Sequence, residues 1–231
     1  MARLARIVVA GRAHHVTQRG NRREPIFFAE GDQAIYLDLL REQAEKHRVE
    51  VWAYCLMPNH VHLILVPGDV EGLSLAVGES HRRYTNFINA RGRWTGHLFQ
   101  SRFASVLLDD DHFVRAVRYV SLNPVRARLV ATPEQWPWSS VCAHLGARDD
   151  ALVRVRPVLD RIPHFVQLMM TCGEDDFTDI RRAETTGRPL GNADYIAQLE
   201  ELLGRTIARR SPGRKTKPPG EDSRQLELLS E

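Results

Sequence analysis

Lysine is almost absent from this chain of 231 residues: of 32 basic side chains only Lys46, Lys215 and Lys217 are lysines, and 29 are arginines. Arginine forks onto phosphate oxygens in a bidentate way that lysine cannot, although GC-rich coding also favours it, so composition alone leaves a nucleic-acid partner open. Cysteine is as scarce. Cys55, Cys142 and Cys172 show no C-x-x-C spacing, which excludes a zinc ribbon or a disulfide framework and suits a reducing cytosol. No run of about 18 apolar residues occurs, so no transmembrane helix and no membrane partner are expected. The start, Met1 to Ala10, is basic and then briefly apolar, and Arg12 interrupts it. That is too short for a secretory signal, and a cytoplasmic location is expected. What is present is ordinary for a folded protein: 43% hydrophobic and 26% charged residues, with a net charge of +3, which excludes full-length disorder.

Along the chain, residues 12–19 read as a strand ended by Gly20-Asn21. Residues 31–48 read as a helix, with Ile35, Leu39 and Leu40 at helical spacing and Asp32 able to cap its start. Val49 to Leu56 and His60 to Val66 read as an antiparallel strand pair broken by the turn Met57-Pro58-Asn59. A helix follows over about 71–90, with Leu73, Val77, His81, Tyr84 and Ile88 as its stripe, and Tyr84 reads as a core aromatic. Residues 98–108 read as a strand or hairpin. Asp109-Asp110-Asp111 favours the start of a helix over 111–122, which Pro124 ends. The order suggests an α+β sandwich, an antiparallel sheet with helices on one face. Beyond about 148 the chain reads as helical, with helices near 174–184 and 194–208. The apolar face of the second is Tyr195, Leu199, Leu202 and Leu203. From Ser211 the chain is rich in Pro, Gly and charge and reads as disordered. The domains expected are 1–148, a helical extension over 149–210 and a tail over 211–231.

The sharpest local feature is His60-Val61-His62. Residues i and i+2 of a strand face the same way, so both imidazoles project together. They suit two ligands of one metal ion, or two sheet histidines bonded to neighbours. The helix over 111–122 has Phe113, Val117 and Val120 as its apolar face. Tyr119 is two residues past Val117 and turned from that stripe, with Asn123 and Arg115 four residues to either side on its own face.

Asn59-His60-Val61-His62, followed by Arg118-Tyr119-Val120-Ser121-Leu122-Asn123-Pro124-Val125-Arg126-Ala127, closely resembles the single-tyrosine HUH transposases, and within them the REP-associated tyrosine transposases. Further matching pieces are His15 to Arg22, Gly96 to Phe103 and Trp136 to Ser140, in family order over roughly residues 10–146. The resemblance implies a ferredoxin-like (RRM-like) sheet with the His pair on a central strand. It implies a divalent ion, Mg²⁺ or Mn²⁺, held by His60 and His62 with Asn123 as third ligand. It implies Tyr119 as nucleophile on hairpin-forming single-stranded DNA, giving a 5′-phosphotyrosine link that a DNA 3′-OH can later attack. Arg19, Arg22, Arg23, Arg82, Arg83, Arg102 and Arg126 flank the matched motifs and are the candidate DNA contacts. Trp94 and Phe99 could stack on bases, with the core as their default place. His112 is a candidate base for Tyr119, against an exposed helix histidine.

Relatives occur as monomers and as dimers, and the sequence leaves both open. Two other functions fit parts of the pattern: a catalytically silent or domesticated DNA-binding protein, and a phosphodiesterase that uses His60 and His62 with water. The segment Thr186 to Gly191, between two helices and ahead of a basic tail, suits an added DNA-reading element or a helical pair packed on the core.

Deleting residues 205–231 removes seven basic and four acidic side chains. If these arginines and lysines touch phosphate, binding weakens for every sequence alike. The salt slope then falls by roughly 0.7 per lost contact on single strands, and cleavage of saturated substrate persists. Fluorescence anisotropy at several salt concentrations checks this, with a cut after Arg210 as the control that spares the preceding helix.

Overall fold

The computed structural model describes residues 6–170 and 176–208. Four strands, β1 (His14–Arg19), β2 (Val49–Met57), β3 (His60–Pro67) and β4 (Ala104–Leu107), form one sheet in the order β2-β3-β1-β4. All three pairings are antiparallel. The helices are α1 (Asp32–Lys46), α2 (Gly72–Gly92), α3 (Asp110–Arg126), α4 (Val141–Leu145), α5 (Arg156–Arg161), α6 (Phe165–Met170), α7 (Thr178–Thr186) and α8 (Ala193–Leu203). This is the α+β architecture expected, with the His pair on β3, an inner strand.

Alternation along the strands decides what each sheet face meets. Val16, Val61, Leu63 and Leu65 point to one side and pack on Tyr36 and Leu40 of α1 and on Leu73, Val77 and Tyr84 of α2. Cys55, Ile64 and Val106 point to the other and pack on Phe113, Val117 and Val120 of α3. The expectation of helices on one face therefore holds for α1 and α2, while α3 covers the opposite face. Residues beyond 148 complete that second layer: Val158, Phe165, Met169, Phe177 and Ile180 join the core under α3. Burying each such aliphatic or aromatic side chain contributes roughly 1.5–3 kcal/mol, so this layer is cohesive without polar help. Tyr84 is fully buried, as its place in the stripe suggested, and its hydroxyl donates to the Ile26 carbonyl at 2.7 Å.

Four local expectations change. The 98–108 strand shrinks to β4, and residues 97–103 form a loop held by an isolated bridge between Gly20 and Phe99. Asp32 is the first residue of α1 rather than its cap; it accepts from the Phe28 and Ala29 amides and from the Arg91 fork, tying α1 to α2. Pro124 does not end α3 but lies inside its last turn, which runs to Arg126. Leu202 is exposed, while Tyr195 and Leu199 of α8 pack on Ile7 and Leu107. Asp109 does cap α3, accepting from the His112 amide at 2.8 Å. No helix among the described residues is long and apolar enough to cross a membrane. The tail over 211–231 lies outside the described residues.

The Arg91 fork holds the Asp32 carboxyl below its ordinary value of 3.8, helped by the two amides and opposed by burial. A carboxylate with a depressed folded value adds stability above its unfolded value and loses it as pH falls through the folded one. Asp32→Ala should cost about 2–3 kcal/mol at neutral pH, the low end for a buried partner because Arg91 is partly exposed. The cost should shrink below about pH 4. Urea unfolding at pH 7 and pH 3 checks both.

Candidate active site

Antiparallel register builds the site. Thr17 lies opposite His62, and Arg19 opposite His60. His15, Thr17 and Arg19 therefore share a face with His60 and His62, the face that α3 covers. His15 Nε2 and His62 Nδ1 are 3.0 Å apart, with their rings stacked at 5.2 Å. His60 stands edge-on to His62 at 4.8 Å, and its Nδ1 is 2.6 Å from the Asn59 side-chain oxygen. From above, α3 lowers Tyr119, whose ring meets His62 at 5.3 Å and His15 at 5.9 Å. The tyrosine turned from the apolar stripe of α3 is thus still buried, at 6% exposure, because the histidine-bearing face lies beneath it.

α7 adds Glu184. Its carboxylate lies 3.9 Å from His15 Nε2 and 3.7 Å from His62 Nδ1. These three side chains offer ligand atoms within 4.8 Å of one another and could hold a metal ion. Where the three meet, His15 Nε2 and His62 Nδ1 bond each other and Glu184 Oε1 has no hydrogen-bond partner. A buried carboxylate oxygen left without a donor beside two imidazole nitrogens fits a cation. A cleft of about 460 Å³ opens over the group, walled by Arg19, Arg23, His60, Arg102, Tyr119 and Arg181 among others.

Burial sets the charge states. It lowers His15 to about 3 and His60 to about 4, the latter helped by Arg19, and holds His62 well below its ordinary value. It pushes Glu184 up to about 7 against the pull of Arg19, Arg181 and Arg126. Burial, then Glu184, raises the Tyr119 phenol, and the charges of Arg126 and Arg181 oppose both. Because α3 continues through Pro124, Arg126 stands seven residues past Tyr119, nearly on the same face. Its guanidinium lies 5.0 Å over the Tyr119 ring and 4.9 Å over that of Phe177.

The profile of the family described as "Transposase IS200 like" matches residues 9–123. This chain belongs to the IS200-like transposase family. A Haemophilus influenzae protein described as a REP-associated tyrosine transposase is 23% identical over 111 residues, 43% of this chain. The match spans 63% of that relative's length. A solved structure of a REP-associated tyrosine transposase bound to a REP hairpin covers 77% of this chain and 96% of its own at 20% identity, with a TM-score of 0.58. It shares the fold.

In this IS200-like transposase the sequence-derived residues are distributed unevenly. His60, His62, Tyr119, Arg19, Arg23 and Arg102 meet at the cleft, and Arg126 reaches it over Tyr119. Asn123 is buried one turn past Tyr119 with its Nδ2 unbonded, outside the cleft wall. Arg22 and Arg23 both adopt left-handed backbone in the tight turn after β1. Arg82 pairs with Glu79 and Arg83 with Glu42, away from the cleft. Arg115, expected on the Tyr119 face, grips Asp179 of α7. His112 bonds Asp109 and lies 3.5 Å from Asp179, so it fastens helices and lines no part of the cleft. Phe99 is in the core, whereas Trp94 is half-exposed against Phe28. The turn before α8 does not stand free: Leu190 exchanges backbone bonds with Leu107 and Asp109.

Sequence reasoning missed His15 and Glu184. The same period-two argument that paired His60 with His62 places His15 once the β1–β3 register is known. Nothing local marks Glu184, which arrives from a distant helix. With pKa values lowered by burial, His15, His60 and His62 remain neutral above the folded values. Imidazole ¹⁵N resonances of these three should not shift between about pH 5.5 and 8, where an ordinary histidine titrates near 6.5. A midpoint inside that range for any of them contradicts the assigned environment.

Proposed function

We propose that this protein is a metal-dependent DNA strand transferase and endonuclease that cuts and rejoins hairpin-forming single-stranded DNA through a 5′-phosphotyrosine link on Tyr119. The observation that carries this reading is the Tyr119 ring seated on His62 and His15 at the floor of an arginine-walled cleft, in a chain of the IS200-like family. The hairpin substrate is supported by the likeness to the transposase solved with a REP hairpin.

A phosphodiester repels nucleophiles, so its charge must be offset where Tyr119 meets it. Arg19, Arg23 and Arg102 line the cleft and supply positive charge to the strand. Tyr119 Oη attacks phosphorus in line. The Oη–P bond forms as the bond to the 3′-oxygen breaks; the phenol gives up its proton and the departing 3′-oxygen gains one. Arg126, whose guanidinium lies 5.0 Å over the Tyr119 ring, favours the phenolate both as it attacks and when it leaves in the rejoining step. The bond energy stays in the phosphotyrosine, so a DNA 3′-OH can attack it without ATP. His60 and His62 are the ligands proposed for Mg²⁺ or Mn²⁺, with Asn123 as the third that the family resemblance implies. When bound, such an ion polarises the phosphodiester and offsets charge in the transition state.

Tyr119→Phe keeps the ring and loses only the nucleophilic oxygen. It should abolish covalent adduct formation on labelled hairpin oligonucleotides drawn from the flanking genome while leaving DNA affinity within a few-fold. Tyr84→Phe should still form the adduct. His60→Ala and His62→Ala should each abolish cleavage, and Asn123→Ala should be milder, because a neutral amide oxygen is the weaker ligand for most transition metals. An adduct gel with and without EDTA decides: adduct on Tyr119→Phe, or EDTA-resistant cleavage by the natural sequence, rules the mechanism out.

A further inference from the structure

α7 lies beyond the segment that the family profile matches, yet it forms one wall of the cleft. Its attachment is elaborate. Arg115 of α3 forks onto both carboxylate oxygens of Asp179 and also donates to the Asp176 carbonyl. Phe177, just before the helix, is fully buried with its ring 5.1 Å from that of Tyr119. The helix is thus anchored through the same element that carries the nucleophile.

Arg181 and Glu184 are three residues apart, on one face of α7, and both line the cleft. The side chain of Glu184 is 18% exposed, and its Oε1 faces the two imidazoles with no donor to satisfy it. An ionised carboxylate held this way is costly unless a cation joins it. The spacings fit one: His15 Nε2, His62 Nδ1 and Glu184 Oε1 stand 3.0 to 3.9 Å apart. Neighbouring oxygen ligands of an octahedral ion with bonds of about 2.1 Å lie about 3 Å apart. Arg181, one turn nearer the start of α7, is exposed at the cleft.

We propose that α7 is a working part of the catalytic centre, with Glu184, packed beside His15 and His62, taking the place of Asn123 as third ligand of the divalent ion and Arg181 binding the phosphodiester presented to Tyr119. This rests on the reaction proposed above. A doubly charged ion beside an ionised Glu184 leaves the pair net positive, and Arg181 adds to the charge the strand meets in the cleft.

The ligand role is read without turnover. In the full-length Tyr119→Phe protein, Mn²⁺ affinity is measured by electron paramagnetic resonance. Glu184→Gln, which keeps size and removes charge, should weaken it at least tenfold, and by more than Asn123→Ala does. Asp179→Ala, which touches neither ion nor DNA, should weaken it several-fold by loosening α7. For Arg181, single-turnover cleavage of a saturated hairpin should fall about 100-fold in Arg181→Ala, with DNA affinity within threefold and partial recovery in Arg181→Lys. Thermal unfolding confirms that each variant is folded. Mn²⁺ binding indifferent to Glu184 overturns the proposal, as does faster cleavage in Glu184→Gln or Arg181→Ala, which would make α7 a cover. Mn²⁺ binding that depends on Glu184 in a protein forming no DNA adduct would uphold the ligand role and reject the reaction instead.

Discussion

The pairing register of β1 with β3 is the constraint on which the rest of the site depends. With Thr17 opposite His62, His15, His60, His62 and Arg19 occupy one face. A slip of one residue would exchange every one of them with Val16, Val61 and Leu63, sending imidazoles into the α1–α2 core and aliphatic groups into the cleft. The register is held because Val16, Val61, Leu63 and Leu65 bury completely against α1 and α2. The apolar face thus fixes the polar one: hydrophobic burial on one side of the sheet positions the chemistry on the other.

Burial then shapes that chemistry. Imidazoles pressed between the sheet and α3 are neutral, so their ring nitrogens offer lone pairs rather than charge. A carboxylate pushed into the same space is strained toward its neutral form. The phenol of Tyr119 resists ionisation, and Arg126, reaching back along its own helix, works in the opposite direction with Arg181. None of these groups has the properties of its free amino acid: the imidazoles keep their lone pairs, while Glu184 and Tyr119 ionise readily only with positive charge beside them.

Much of this was legible in the chain. Period-two spacing made the His60–His62 pair visible, and helical spacing isolated Tyr119 from its apolar neighbours. Tyr84 was recognisable as core by its place in the α2 stripe. The failures have physical reasons. A proline reads as a helix end, yet in the last turn of α3 it removes a single N–H, and the helix goes on to carry Arg126 into place. Trp94 looks like a core aromatic, but Gly92 leaves room for its ring to lie back over the end of α2. Glu184 belongs to a helix that was expected, at a position whose meaning comes only from packing against strands more than a hundred residues earlier.

The second layer of the core carries a consequence for how this protein could be divided. Phe113, Val117 and Val106, inside the family segment, share their apolar environment with Val158, Phe165, Phe177 and Ile180 outside it. A chain stopped near residue 148 would leave an open hydrophobic face beneath the very helix that presents Tyr119, and such a fragment would cling to other copies before it met DNA. The extension is therefore not interchangeable cargo. Recombining this family segment with another relative's C-terminal region would require the new partner to bring its own counterparts to Phe177 and Asp179.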